Sequence, residues 1–368
     1  MAQEQSVNPM DSIEIGLITC SPHEEIYSLY GHSALRYHDL RTDYDVAFNW
    51  GVFNFDTPHF VLRFVFGLTD YELAPVPFKD FCKYYQHWGS MVTEQVLNLT
   101  PEEKARIALA LQNNLKPENR TYRYNYFYDN CSTRPRDMIE RNLTGELVYK
   151  DLPDQTPTYR QMVGEHTRNH PWATVGNDLL LGIKADFKTD RRQQEFLPEN
   201  LFRSFSGAQI YAYGEYRPLV KETRQIVKPG VQIIERDFIF TPIECGIMLV
   251  VLALLILLLE WKRKTVFRWW DALLMLLQGL AGIILFLMIF SQHPTTSINL
   301  QLLLLNPIPL FFIWKVIKGR KTVYWQILVG MTCLFLIGGL WQHYAEGMYF
   351  VALCLLTRYW SNIRYTRK

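Results

Sequence analysis

A single cysteine, Cys131, sits in the stretch YNYFYDNCSTRPRD (Tyr124–Asp137), between a run of tyrosines and residues that start a helix. Pro135 belongs in a first helical turn, where a missing N–H costs nothing, so the helix begins close to Cys131. A thiolate there gains from the positive end of the helix dipole, and a neighbouring imidazole can take the thiol proton. Such a pair does nucleophilic chemistry on carbonyl carbon. A free cysteine is more often an inert core thiol, so the reading depends on a histidine reaching it.

The histidine is supplied by HSALRYHDLRTDYDVAFNWGVF, which reads as a hairpin: a strand from His32 to Tyr37, a polar turn over His38–Asp43, and a strand from Tyr44 to Phe53. A turn centred near residues 40 and 41 sets His32 opposite Asn49, on one face of the pair. Asn49 then holds the imidazole tautomer as the third member of a Cys–His–polar triad, with Asp45 as the fallback. The Cys131 N–H is the expected oxyanion donor, with the Asn130 side chain as helper. Arg36, Arg134 and Arg136 have the forked donors that fit phosphate, although surface ion pairing is the commoner fate of such groups. Tyr126 and Tyr128, with Tyr122, Tyr124 and Phe127, would wall the site or lie among lipid headgroups.

Further elements frame these residues. IEIGLITC (Ile13–Cys20) is a short apolar strand, HEEIYSLYG one or two helical turns ended by Gly31, and GSMVTEQVLNL a strand. TPEEKARIALALQNNL has a Thr100 cap, Pro101 and early acids, so it is a helix. DTPHFVLRFVFG and PFKDFCKYYQHW read as helices or short strands. WATVGNDLLLG and QQEFLPENLFRSF are helical pieces, and VQIIERDFIFTP a final strand leading to the membrane.

Averaged over 368 residues, a net charge of +2 and 49% hydrophobic content look like those of a soluble protein. The average conceals two media, because charge is concentrated before about residue 240 and long apolar runs follow. The expected division is an extracytoplasmic domain over 1–238 and a transmembrane domain over 239–368. Its spans fall at about 243–260, 271–290, 299–314, 323–341 and 347–360. WKRKTVFR, KVIKGRK and the tail each carry four Lys or Arg, counting Arg358 with the tail, whereas SQHPTTS and QHYAEG carry none. That alternation places the N-terminal domain outside the cytoplasm and the C-terminus inside. MAQEQSVNPM has no charged n-region or apolar h-region, so a natural export signal is expected to have been removed. NPIP (Asn306–Pro309) would break the third span. No ionisable group stands near a span centre, which argues against a transporter or proton relay.

Of the six cysteines, Cys20, Cys82 and Cys131 fall outside; Cys20 and Cys82 could pair or stay free, leaving Cys131 free in either case. His23, His38, His166 and His170 show no clean ligand spacing, and HTRNH offers only two ligands, so no metal is expected. Glycine-rich nucleotide motifs are lacking, and neither a cofactor nor a nucleic-acid partner is expected.

GHSALRY followed by NC ahead of a helix resembles the circularly permuted papain-like enzymes related to NlpC-type peptidases. LITCSPHEEIYSLYGHSALRYHD, FNWGVFNF, YNYFYDNCSTRPRD, GNDLLLG, EFLPENL and QHPTTSINLQLLLLNPIP together resemble the Lnb family of bacterial lipoprotein N-acyltransferases. The resemblance implies an α+β permuted papain-like domain followed by a five-helix transmembrane bundle in the inner membrane. It also implies Cys131 as nucleophile, His32 as base, a phospholipid acyl donor and a diacylglyceryl lipoprotein acceptor. Two other readings stay open: a cell-wall amidase or peptidase, and a membrane sensor with an inactive papain-like domain.

Overall fold

The computed structural model describes residues 8–52, 58–59, 62–63, 66–150, 156–233, 238–320 and 323–365. The chain forms two compact units interleaved in sequence. The first comprises 1–60, 68–156 and 189–235, the second 61–67, 157–188 and 236–368.

The first unit is built on a seven-stranded antiparallel sheet. Its strands are β1 (Ile13–Cys20), β2 (His32–Asp39), β3 (Tyr44–Val52), β4 (Asp70–Pro77), β5 (Val92–Leu97), β6 (Thr121–Arg123) and β10 (Val220–Val227), in the order β10-β5-β1-β2-β3-β4-β6. A second sheet is made by β7 (Glu146–Val148), β8 (Gln209–Ala212) and β9 (Glu215–Pro218). Alternation puts Ile13, Ile15, Leu17 and Leu35 into the core with Phe48, Trp50 and Leu73. Helices α1 (Phe78–His87), α2 (Pro101–Asn114), α3 (Thr133–Glu140) and α6 (Pro198–Gly207) belong to this unit. Thr100 and Glu103 close a reciprocal cap on α2, as its sequence predicts. The sheet also buries charge. Arg36 bonds Asp45 at 2.7 Å through two nitrogens and Glu94 at 2.8 Å, with its guanidinium 3.9 Å above the Phe78 ring. Gly16 makes the room, since a Cβ there would stand 2.5 Å from a Glu94 carboxylate oxygen.

The register of the β2–β3 hairpin differs from the sequence expectation. Arg36 pairs with Ala47 and Leu35 with Phe48, because the turn centres one residue further along. Continued, that register sets Asn49 level with Ala34, and His32 becomes its diagonal neighbour. Moving a hairpin turn by one residue shifts the partner by two, so both side chains stay on one face. Half of the segment DTPHFVLRFVFG lies outside the described residues, as does the middle of VQIIERDFIFTP. Val231–Ile233 form no strand, and the last strand of the sheet is β10.

The second unit is helical. It contains α4 (Tyr159–His166), α5 (Pro171–Leu180), α7 (Pro242–Arg263), α8 (Arg268–Met288), α9 (Tyr324–Gly338) and α10 (Met348–Tyr365). Among the described residues, α7 and α8 are long and apolar enough to cross a membrane. At about 1.5 Å per residue, their 22 and 21 residues extend about 33 and 32 Å. The third predicted segment is not one helix. It is a 3-10 turn at Leu300–Leu303, another at Ile308–Phe311 and a short helix at Ile313–Ile317. Pro307 and Pro309 cannot donate to a helical ladder. Gln278 of α8 instead caps the freed Leu304 carbonyl at 2.7 Å. Gly282 of α8 lets this broken segment approach, as a Cβ there would lie 2.2 Å from the Asn306 backbone.

Two buried polar clusters fix this unit. Arg358, counted with the tail charges above, is 1% exposed and bonds Glu260 at 2.7 and 2.9 Å and Asp271 at 2.6 Å. Arg160 of α4 bonds Asp178, Asp186 and the Leu181 and Gly182 carbonyls. Gln301 and Asn299 donate to the Asp178 and Leu179 carbonyls, and Gln342 to that of Leu181. The stretch 157–188 is thereby bonded to the connections between the apolar helices.

Candidate active site

Three backbone devices position the chemical groups. His32 is the first residue of β2, paired with Cys20 of β1. Asn49 lies on β3, just before an irregularity at Gly51, where the strand bulges with φ +108°. Cys131 precedes α3 by two residues, in a turn shaped by Asn130. The Asn130 side-chain oxygen accepts from the Ser132 and Thr133 N–H groups at 2.9 and 3.0 Å, which caps the helix from outside it. Pro135 stands four residues after Cys131, where it has no N–H to offer the Cys131 carbonyl.

These devices converge. His32 Nε2 and Asn49 Oδ1 are 2.6 Å apart, so the ring donates to the amide oxygen. The other ring nitrogen, Nδ1, is then the acceptor left for the Cys131 thiol, with which the imidazole shares a hydrogen bond. Gly51 closes the arrangement: a Cβ there would lie 3.9 Å from both Cys131 Cβ and His32 Cε1. Tyr85 stacks on the imidazole at 6.3 Å with an interplanar angle of 17°.

Electrostatics follow the geometry. Burial alone would raise the Cys131 thiol. The His32 charge and hydrogen bond, the Ser33 backbone N–H and the Ser132 hydroxyl outweigh it, and the thiol lies below its ordinary range. Burial disfavours the His32 imidazolium, yet the Cys131 charge and hydrogen bond and the Asn49 oxygen raise it overall. The opposed directions describe a thiol and an imidazole that each favour the other's charged form.

The other predicted site residues divide. The Cys131 N–H donates to no protein acceptor among the described residues and remains available for an oxyanion. Asn130 does not: both of its amide hydrogens go to carbonyls, of Tyr126 and Phe196 at 2.9 Å each, and its role is to build the turn. Arg36 is not a phosphate ligand, because it is buried between Glu94 and Asp45, and Asp45 is thereby turned away from the imidazole role. Arg134 is held by Asp129 at 2.5 and 2.6 Å and covers the Tyr122 ring, and Arg136 is spent on Asp137 and Glu195. Tyr126 does line the site, whereas Tyr128 is 46% exposed and does not. Cys20 and Cys82 are both free thiols.

Two pockets meet at His32. One, of about 110 Å3, holds Cys131 and is walled by Tyr30, Tyr71, Tyr124, Tyr126, Phe196 and Leu197. The other, of about 380 Å3, holds Asn49 and is walled by Tyr27, Phe81, Tyr84 and Tyr85. Sequence reasoning did not find Gly51, Ser132, Tyr85 or the Phe196–Pro198 wall. An isolated glycine inside a strand pattern is the signal that marks Gly51 as a bulge or a point of close approach; the Phe196 wall carries no such signal.

A thiol, an imidazole and an amide in one hydrogen-bonded row, in a chain that also carries long apolar helices, define a membrane protein with a cysteine–histidine site. Residues 2–165 match the Lnb N-terminal periplasmic domain and residues 233–368 the Lnb transmembrane domain. The chain belongs to the Lnb family, as an inner-membrane protein with a periplasmic N-terminal domain. No curated protein and no solved structure matches it.

Proposed function

We propose that the protein is a lipoprotein N-acyltransferase, a permuted papain-like enzyme joined to five membrane spans, that moves a fatty acyl chain from a phospholipid to the α-amine of a diacylglyceryl-cysteine lipoprotein. The observation that carries the reading is the row Cys131–His32–Asn49, with a polarised thiol at the wall of an aromatic pocket.

His32 takes the Cys131 proton, and the thiolate attacks the ester carbonyl. The oxyanion is met by the Cys131 N–H. The C–O bond breaks, lysophospholipid leaves with the proton from His32, and a thioester remains on Cys131. The lipoprotein amine then attacks that thioester. The N–C bond forms, the C–S bond breaks, and the amine proton passes through His32 to the sulfur. Asn49 keeps Nε2 protonated throughout, so Nδ1 is the nitrogen that moves protons. The aromatic wall keeps water from the thioester, which it would otherwise hydrolyse. Membrane anchoring confines the site to the surface where both substrates lie.

Intact mass spectrometry after incubation with phospholipid tests this. Wild type is expected to gain one acyl mass and Cys131→Ser none; absence of an adduct in wild type with the acceptor withheld refutes the thioester route.

A further inference from the structure

The two pockets that share His32 are not equivalent. Cys131 lines only the smaller, and its walls offer rings, aliphatic groups and no carboxylate. At about 30 Å3 per water, its 110 Å3 holds the reacting carbonyl and a few carbons. The larger pocket lies on the Asn49 side and lacks the sulfur. Tyr27, Gly31, His32 and Gly51 border both, so the two pockets adjoin at the imidazole and at Gly51, where a side chain is missing.

The walls of the larger pocket are chemically distinct. Tyr84 meets Tyr85 edge-on at 5.1 Å, and Tyr85 stacks on His32. Glu25 holds two of these rings from behind, accepting from the Tyr84 hydroxyl at 3.1 Å and from the Tyr27 hydroxyl. Asp80 stands at the rim, paired with Lys83 at 2.9 Å. Ring faces held by the Glu25 carboxylate attract an ammonium group, which apolar acyl chains do not need.

Resting on the acyl-transfer reading above, we propose that this larger pocket is the acceptor-amine site, with Tyr84 and the Glu25 that orients it as specificity determinants, and that the Cys131 pocket takes the acyl carbonyl. The two substrates reach the carbonyl carbon from opposite sides of His32. The rings and Glu25 favour the ammonium, and because a free α-amine titrates at about 7.7–8.0 the loss of one proton to water at the rim still costs little near neutral pH; the neutral amine attacks. The bond from nitrogen to the acyl carbon forms as the C–S bond breaks. The second amine proton goes to His32 Nδ1 and then to the Cys131 sulfur.

The two half-reactions separate the pockets. Full-length protein in detergent is incubated with phosphatidylglycerol, and the acyl adduct is timed by intact mass. A synthetic S-diacylglyceryl-cysteine peptide is then added, and adduct loss and N-acyl peptide are timed together. Tyr84→Leu and Glu25→Gln are expected to acylate within about twofold of wild type and to transfer at least tenfold more slowly. Tyr84→Phe, which keeps the ring but loses the hydrogen bond to Glu25, is expected to transfer more slowly than wild type and faster than Tyr84→Leu. Leu197→Trp is expected to slow acylation at least tenfold. Equal slowing of both steps by Tyr84→Leu, no slowing of either, or slowing of acylation alone overturns the assignment. A wild type that forms no adduct defeats the acyl-transfer reading itself, and this assignment with it.

Discussion

Removing the Asn49 amide tests whether the hydrogen-bonded row is a working unit. The 2.6 Å bond from His32 Nε2 to Asn49 Oδ1 strengthens when the ring is charged. A hydrogen bond to a charged partner contributes about 1.5–3 kcal/mol. The neutral ring keeps a bond of about 0.5–1.5 kcal/mol, so the difference is about 1–1.5 kcal/mol, and at 1.36 kcal/mol per decade Asn49→Ala should lower the imidazolium–thiolate population by about five- to tenfold. The sign follows from the directions already described. His32 is raised in part by Asn49, and Cys131 is lowered chiefly by His32, so losing the amide moves His32 down and Cys131 up. Alkylation of Cys131 by iodoacetamide, read by peptide mass so that the other five thiols do not interfere, should shift to higher pH. Formation of the acyl adduct should slow by a similar factor, and Asn49→Asp, which still accepts, should restore most of the thiolate population. An unchanged alkylation profile together with an unchanged acylation rate would refute the reasoning.

Arg36→Met should destabilise the first unit by about 3–5 kcal/mol, because it strands the 1% exposed Glu94 carboxylate without its main partner; chemical denaturation measures this, and preserved stability would return Arg36 to candidacy as a ligand. His23 is 3% exposed, stacked on Trp88 at 4.9 Å, and both its ring nitrogens lack hydrogen-bond partners among the described residues. Burial, helped by His32 and opposed by Glu25, lowers its affinity for protons. The stability it contributes is present above the unfolded value of about 6.5 and is lost as pH falls below it, so His23→Phe should flatten the decline in Tm between pH 7.5 and 5. Gly282→Ala should cost about 1–3 kcal/mol by driving a methyl into the Asn306 backbone, whereas Gly330→Ala on α9, with open space around it, should be neutral or stabilising in the same thermal-shift assay.

Much of the site was legible because its signals are local. A proline four residues after Cys131 announces a helix start, and alternation with a polar turn announces the hairpin that carries His32 and Asn49. The predicted His32–Asn49 contact survived an error in turn position because strand parity repeats every two residues. What was not legible depends on long-range packing. Whether Arg36 meets phosphate or a carboxylate is decided by Glu94, which is 58 residues away in the chain. Asn130 looks like an oxyanion donor until the Phe196 carbonyl, 66 residues on, takes one of its hydrogens. The third apolar segment shows the reverse case. Its prolines predicted a break, and the structure resolves it into short turns with a glutamine from α8 meeting a freed carbonyl.

The polar lattice around Arg160, Gln301 and Gln342 has a practical consequence for anyone wishing to work in aqueous buffer. A soluble fragment cut at the foot of α7 would retain α4 and α5, with the Arg160 bonds to the Asp178 and Leu181 carbonyls, yet lose the Asn299 amide that satisfies the carbonyl of Leu179 and the second donors that Gln301 and Gln342 supply. That orphaned carbonyl, and the apolar faces beside it, would make such a fragment sticky and prone to proteolytic trimming near residues 157–188. Reagents, binders and inhibitor screens are therefore better built on the intact chain in a lipid mimetic.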